Sequence, residues 1–175
     1  MLPNPLHPAI VHFPIVLVIL LPFFAIGALW AIRRGASARK TWLIPTAVAA
    51  ALTVSAFVSL RTGQAQGEKV ERVVPEKVVD AHEEAAERFL VLSGVLLAVV
   101  GAGLAGGVVG RSARLVSTVG ALGLVVAGVQ VGASGGDLVY KHGAASIYAR
   151  APGGAVSSAM EGPAVATRER VGDDD

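Results

Sequence analysis

LHPAIVHFP (residues 6–14) runs without a charge into IVLVILLPFFAIGALWAI (residues 15–32), and only Arg33-Arg34 ends the run. A helix over about residues 8–32 is long enough to cross a hydrocarbon core of about 30 Å with some tilt. The competing reading is a cleaved signal peptide with Ala36-Ser37-Ala38 as its cleavage site. It fails on its flanks, because no positive residue precedes the apolar run and two arginines follow it. The segment is therefore expected to be a retained span, bent locally at Pro14 and Pro22. It also brings two of the chain's four histidines, His7 and His12, to its own mouth.

Working outward, the remaining sequence repeats the pattern. Of 175 residues, 53% are hydrophobic and 16% charged; soluble domains carry about a quarter charged residues, so this chain has too little polar surface to coat a water-soluble globule. A second span is expected at 41–60, closed by Arg61-Thr62-Gly63. Residues 64–88 read as a charged connection, with Pro75 at the first position of a new helix. Val78, Val79, His82, Ala86, Phe89 and Ser93 fall near one stripe, so the third span (87–109) should carry an amphipathic extension above the bilayer. The fourth covers 115–133, joined to the third by residues 110–114. Asp137 to Gly143, with Tyr140 and Tyr148, reads as an interfacial segment, and 151–175 as a disordered tail. The expected fold is all-α: an integral membrane four-helix bundle with antiparallel up-down topology. Its third and fourth spans are rich in glycine four residues apart, which favours close packing or association of copies through Gly-rich faces.

Charge sets the orientation. Arg33, Arg34, Arg39 and Lys40 occupy the first connection, Arg111 and Arg114 the third, and neither contains an acid. All thirteen Asp and Glu lie in the 61–88 connection or after Gly136. Positive residues in short loops stay in the cytoplasm, so both termini are expected outside the cytoplasmic membrane of a bacterium. His7, His12, His82 and His142 then share the outer side.

A single interfacial histidine is ordinarily a polar tip among headgroups; four on one side call for chemistry. Imidazole ligates haem iron or first-row metal ions, or switches protonation near neutral pH. Four could supply two axial pairs for haem b, one axial pair plus a second metal, or one mononuclear site for copper, zinc or iron. Five residues separate His7 from His12, a rotation of about 140° on a regular helix. Each should therefore face its own partner, His12 with His82 and His7 with His142. Asp80, Glu83, Glu84 and Glu87 are candidates to orient imidazoles, and Asp137 and Arg61 to meet haem propionates. The chain has no cysteine, which removes disulfides and thiolate sites. Net charge is +2, with no basic patch interleaved with aromatics, so nucleic-acid binding has no support. No catalytic triad or phosphate loop is present, and the spans lack the mid-membrane charge of most transporters.

The opening Leu6-His7-Pro8-Ala9-Ile10-Val11-His12-Phe13-Pro14 and the closing Gly135-Gly136-Asp137-Leu138-Val139-Tyr140-Lys141-His142-Gly143 resemble a bacterial family of four-helix membrane proteins called domain of unknown function 2231. The resemblance runs from about Leu6 to Ile147, with the His82 region as a third point. It implies that His7, His12, His82 and His142 form a family site. Members joined to cytochrome c-like modules imply a redox setting. Three functions follow as expectations. The first is a haem b protein passing electrons at the periplasmic face to a periplasmic carrier; the second is a metal-ion binding protein. The third is a structural accessory subunit of a larger membrane complex.

Overall fold

A computed structural model describes residues 6–149; the expected tail at 151–175 lies outside the described residues. Every regular element among them is helical: α1 (His7–Ile10), α2 (His12–Arg33), α3 (Ala38–Val70), α4 (Glu76–Ala102), α5 (Gly107–Tyr140) and α6 (Ser146–Ala149). Four helical stretches are long and apolar enough to cross a membrane: His7–Arg33, Ala38–Val70, Glu76–Ala102 and Gly107–Tyr140.

Local chemistry explains where the helices break. Pro14 has no N–H to offer the Ile10 carbonyl, and the chain loosens at Val11, one residue past α1. Helical bonds still bridge the break, from Val11 N to the His7 carbonyl and from Ile15 N to the Val11 carbonyl. The expected bend at Pro14 is thus a break between two helices, whereas Pro22 sits inside a continuous one. After Arg34, Gly35 adopts φ 97 and the Ala36 N–H returns to the Ala31 carbonyl. That is a left-handed helix stop, which glycine alone takes without steric cost.

Two expected connections move. Residues 64–70 are not loop: α3 runs on to Val70, and Pro75 caps α4 instead of opening it. Charged residues outside the hydrocarbon have no reason to end a helix. The turn between the third and fourth spans occupies residues 103–106, not 110–114. Arg111 and Arg114 lie within the first two turns of α5, because arginine marks a boundary with water while the glycines supply the turn.

Packing follows one rule in all four long segments. The seam residues of α2 are Pro14, Val18, Leu21, Ala25 and Ala28, with Pro22 buried beside Leu21; those of α3 are Trp42, Pro45, Ala49, Leu52, Ala56 and Ser59. In α4 they are Phe89, Ser93, Leu96 and Val100, and in α5 they include Gly110, Arg114, Ser117, Ala121 and Leu124. Successive members are alternately three and four apart, the seam spacing of coiled-coil-like bundles. α2 packs on α3 and α5, and α4 on α3 and α5, which makes a closed ring with α2 opposite α4. Trp42 meets Val100, Thr53 meets Ser93 and Gln64 meets Glu83, so contacts ascend α3 as they descend α4. Gly120 lies against Leu96, Gly128 against Phe89 and Gly135 against His82, the same progression between α4 and α5.

Small seam residues let the helices close on a core of modest side chains, while large apolar ones such as Phe13, Phe23, Val54, Val91, Val119 and Val129 point outward. A water-soluble monomer rarely exposes an apolar surface of this extent; hydrocarbon covers it without penalty. A second, smaller core of Val74, Val79, Leu138 and Ala144 ties the α3–α4 turn to the end of α5.

Close backbone approach is tested by glycine. A Cβ on Gly110 would stand 1.8 Å from the Ala105 carbonyl oxygen, whereas Gly101 and Gly123 face open space. Gly110→Ala should therefore lower the thermal midpoint in detergent, with a cost of about 1–3 kcal/mol. Gly101→Ala and Gly123→Ala should leave it unchanged or raise it, since alanine is the better helix former.

Candidate functional site

The seams carry on past the apolar core, and at one level they change character. Counting back from Pro14 by three and then four reaches Val11 and His7; from Phe89 the same steps reach Ala86 and His82. Counting forward from Ser59 reaches Gly63, and from Gly128 reaches Val131 and Gly135. All four positions, His7, Gly63, His82 and Gly135, are half-buried. Each glycine receives an imidazole. A Cβ on Gly63 would stand 3.0 Å from His7 Cε1, and one on Gly135 would stand 3.0 Å from His82 Cε1. The layer therefore alternates ring and seat around the bundle, with the two histidines on diagonally opposite helices.

Hydrogen bonds fix how each ring presents itself. His7 Nδ1 lies 2.9 Å from the Ser59 carbonyl oxygen and 3.3 Å from Thr62 Oγ1. A carbonyl only accepts, and the Thr62 hydroxyl already donates to that same carbonyl at 2.9 Å. Nδ1 must carry the proton, which leaves the Nε2 lone pair free. His82 Nδ1 lies 2.8 Å from Ser134 Oγ, and the Ser134 hydroxyl donates to the Val131 carbonyl at 2.9 Å. Ser134 is thus the acceptor here, and His82 takes the same tautomer. Both tautomers follow from the hydrogen-bond network.

Neutral imidazole is the ligating form, and a neutral ring that donates from Nδ1 presents its lone pair at Nε2.

The other two histidines go elsewhere. His12 is exposed on the outward face, where it borders an open groove of about 290 Å³ with Phe13, Val16 and Leu17. His142 is exposed past the end of α5, its N–H bonded to the Asp137 carbonyl. His7 and His82 thus share one seam layer, whereas His12 and His142, expected to pair with His82 and His7, are exposed outside it. The rotation between His7 and His12 does send them to different surroundings.

None of the acids expected to orient an imidazole bonds to one. Glu83 accepts from Gln64 Nε2 at 2.6 Å, and Glu84 pairs with Arg88. Asp137 pairs with Lys141 at 2.9 Å, and Arg61 lies over the Phe57 ring. The orienting groups are Ser59, Thr62 and Ser134, with Gly63 and Gly135 beneath the rings. Sequence reasoning passed over these five; the heptad register, carried one step beyond the apolar core, would have found the layer. Among the described residues no three His, Asp or Glu side chains are gathered to hold a metal ion. Two free Nε2 atoms are too few for the usual tetrahedral metal site.

Comparison with known proteins adds no relative: no family model, no curated protein and no solved structure matches the chain.

The tautomers are directly measurable. Nitrogen-15 histidine spectra at pH 8 should show His7 and His82 protonated at Nδ1, and Ser134→Ala should release His82 into a mixture of tautomers. Nε2–H forms in the wild type would contradict the network.

Proposed function

We propose that the chain is a multi-pass protein of the bacterial cytoplasmic membrane that carries one haem b between His7 and His82 and passes electrons at the outer face. The observation that carries this reading is the pair of imidazoles in one seam layer on diagonal helices, each with Nδ1 engaged by a hydrogen bond. Bonding of Nδ1 to a carbonyl or hydroxyl is the usual way a ligating histidine is oriented and made more basic. Up-down topology with both termini outside is part of the proposal. It draws on the acid-free cationic connections at the opposite end, by the positive-inside rule.

His7 and His82 would supply the axial ligands, and Gly63 and Gly135 would let the rings lie against the backbone. Haem, when bound, supplies a reversible one-electron iron couple. A single haem replaces the two expected from four histidines, because His12 and His142 are turned outward. The end motifs, which carry His7, His12 and His142 and resemble those of the four-helix bacterial family, support a site at this end. A periplasmic electron carrier is the partner class such a site would serve.

A second reading, an accessory subunit within a larger membrane assembly, is favoured by a separate observation. A methyl group added at Gly94 or Gly101 on α4, or at Gly123 or Gly132 on α5, would meet nothing within 4 Å. Gly94 and Gly101, seven residues apart, share one face of α4 and leave room there for another helix.

Visible spectra of protein expressed with added haem and reduced with dithionite separate the two. The proposal expects sharp haem b bands that are lost in His7→Ala and in His82→Ala and kept in His12→Ala and His142→Ala. Absence of haem bands in the wild type, or their loss only in the His12 and His142 variants, would remove it.

A further inference from the structure

The wall of the bundle differs from level to level. In the apolar core α2 packs on both α3 and α5, and Gly128 of α5 lies against Val18 of α2 as well as Phe89 of α4. At the histidine level α2 has given way to α1, whose principal contacts are with α3 and α2 and not with α5. No residue of α1 is buried. Among the described residues, the hydrogen bonds that join α1 to another helix are those of His7 to Ser59 and Thr62 on α3. The ring that α2 closes lower down is therefore open between α1 and α5 where the imidazoles lie.

The surface of α5 shows the same opening. At about 100° per residue, Gly120, which lies against Leu96 of α4, falls on one flank of the α5 seam. Thr118, Val125 and Gly132 share the other flank, the one toward α2. Along that flank Thr118 is buried and Val125 packs against the core, but Gly132 is exposed. A Cβ on Gly132, or on Gly136 one turn further on, would meet nothing within 4 Å. The route along the bundle axis is obstructed instead. One seam step beyond His82 and Gly135, Val79 and Leu138 enter the second core with Val74 and Ala144. Gly143, at φ 68, turns the chain back so that the Ala144 N–H donates to the Leu138 carbonyl at 3.0 Å.

We infer that the histidine layer is entered sideways, through a portal between α1 and α5 with Gly132 and Gly136 as its threshold, and that haem is what enters. The inference rests on the haem reading for the occupant and on helix packing alone for the portal. A flat, largely apolar macrocycle needs a lateral gap in the wall, which a bare ion does not. Val129, exposed on the same side of α5, keeps the approach apolar.

The open space at these glycines lets a plug be added without displacing a neighbour. A helical side chain covers the turn before its own Cα, so Gly136→Phe should lie over the imidazole level and Gly132→Phe just below it. In the detergent-solubilised full chain, Gly136→Phe should slow haem association about five-fold or more, the scale of moving a packed side chain aside. Gly132→Phe should act in the same direction, and Gly123→Phe, equally open but in the middle of α5, should not. A second readout needs no haem: carbethoxylation of His7 and His82 by diethyl pyrocarbonate, followed by mass spectrometry. It should slow in Gly136→Phe while that of the exposed His142 stays the same. Slower carbethoxylation with no haem bound even by the wild type would support the portal and remove haem as its occupant. Unchanged haem association and carbethoxylation in both plugged variants, at unaltered helicity and thermal midpoint, would overturn the portal. Equal slowing in Gly123→Phe would overturn it as well.

Discussion

The bond from His7 Nδ1 to the Ser59 carbonyl is the constraint on which the histidine end of the molecule depends. It fastens α1 to α3 across the break at Val11, fixes the proton on Nδ1 and so decides which nitrogen is left for chemistry. Thr62 strengthens it by occupying the same carbonyl and offering its own oxygen to the ring. On the far side of the bundle, Ser134 does the same for His82 by spending its proton on the Val131 carbonyl. Two unrelated local devices, a threonine on α3 and a serine on α5, reach one outcome: a neutral ring with Nε2 unclaimed. Net worth per bond is modest, about 0.5–1.5 kcal/mol, so their importance lies in orientation more than in stability.

The ends of the bundle solve different problems with the same seam. Through the core, alanine, leucine and valine at alternate steps of three and four let four apolar helices pack closely while their larger side chains face outward. At the histidine level the seam residues become His, Gly, His, Gly, and polar contacts continue beyond it through Gln64 and Glu83. At the opposite level the seam holds Trp42, Gly103, Gly110 and Arg114, where glycine again makes room for a side chain too large for its neighbours. Small residues here are less a generic feature of membrane helices than the complement of particular bulky partners. The exceptions include Gly27, Gly94, Gly101, Gly123, Gly132 and Gly136, where an added methyl group would meet nothing within 4 Å.

How much of this the sequence discloses depends on what each residue responds to. Four charge-free runs expose the four helices, because crossing hydrocarbon is a requirement each segment meets by itself. Turn positions are less legible. The run Gly103–Gly107 carries no charge, so composition alone merges it with the span, and the arginines that follow report the depth of water and not the end of a helix. Similarly α3 continues through Gln64–Val70 because an extramembrane hairpin with α4 supports it. The sidedness of the histidines is argued from sequence, but their pairing is not contained in the spacing of His7 and His12. That spacing predicts only that the two diverge. Which one turns inward is set by the Ser59 carbonyl, 52 residues away, and by Gly63 and Gly135 clearing space for the rings.

The central claim is that His7 and His82 meet across the mouth of the bundle. Since the natural chain has no cysteine, the double variant His7→Cys with His82→Cys can carry two spin labels and nothing else. Strong dipolar broadening of its spectrum, relative to the two single-labelled proteins, is the predicted result. A double-labelled spectrum equal to the sum of the singles would place the histidines apart and contradict it.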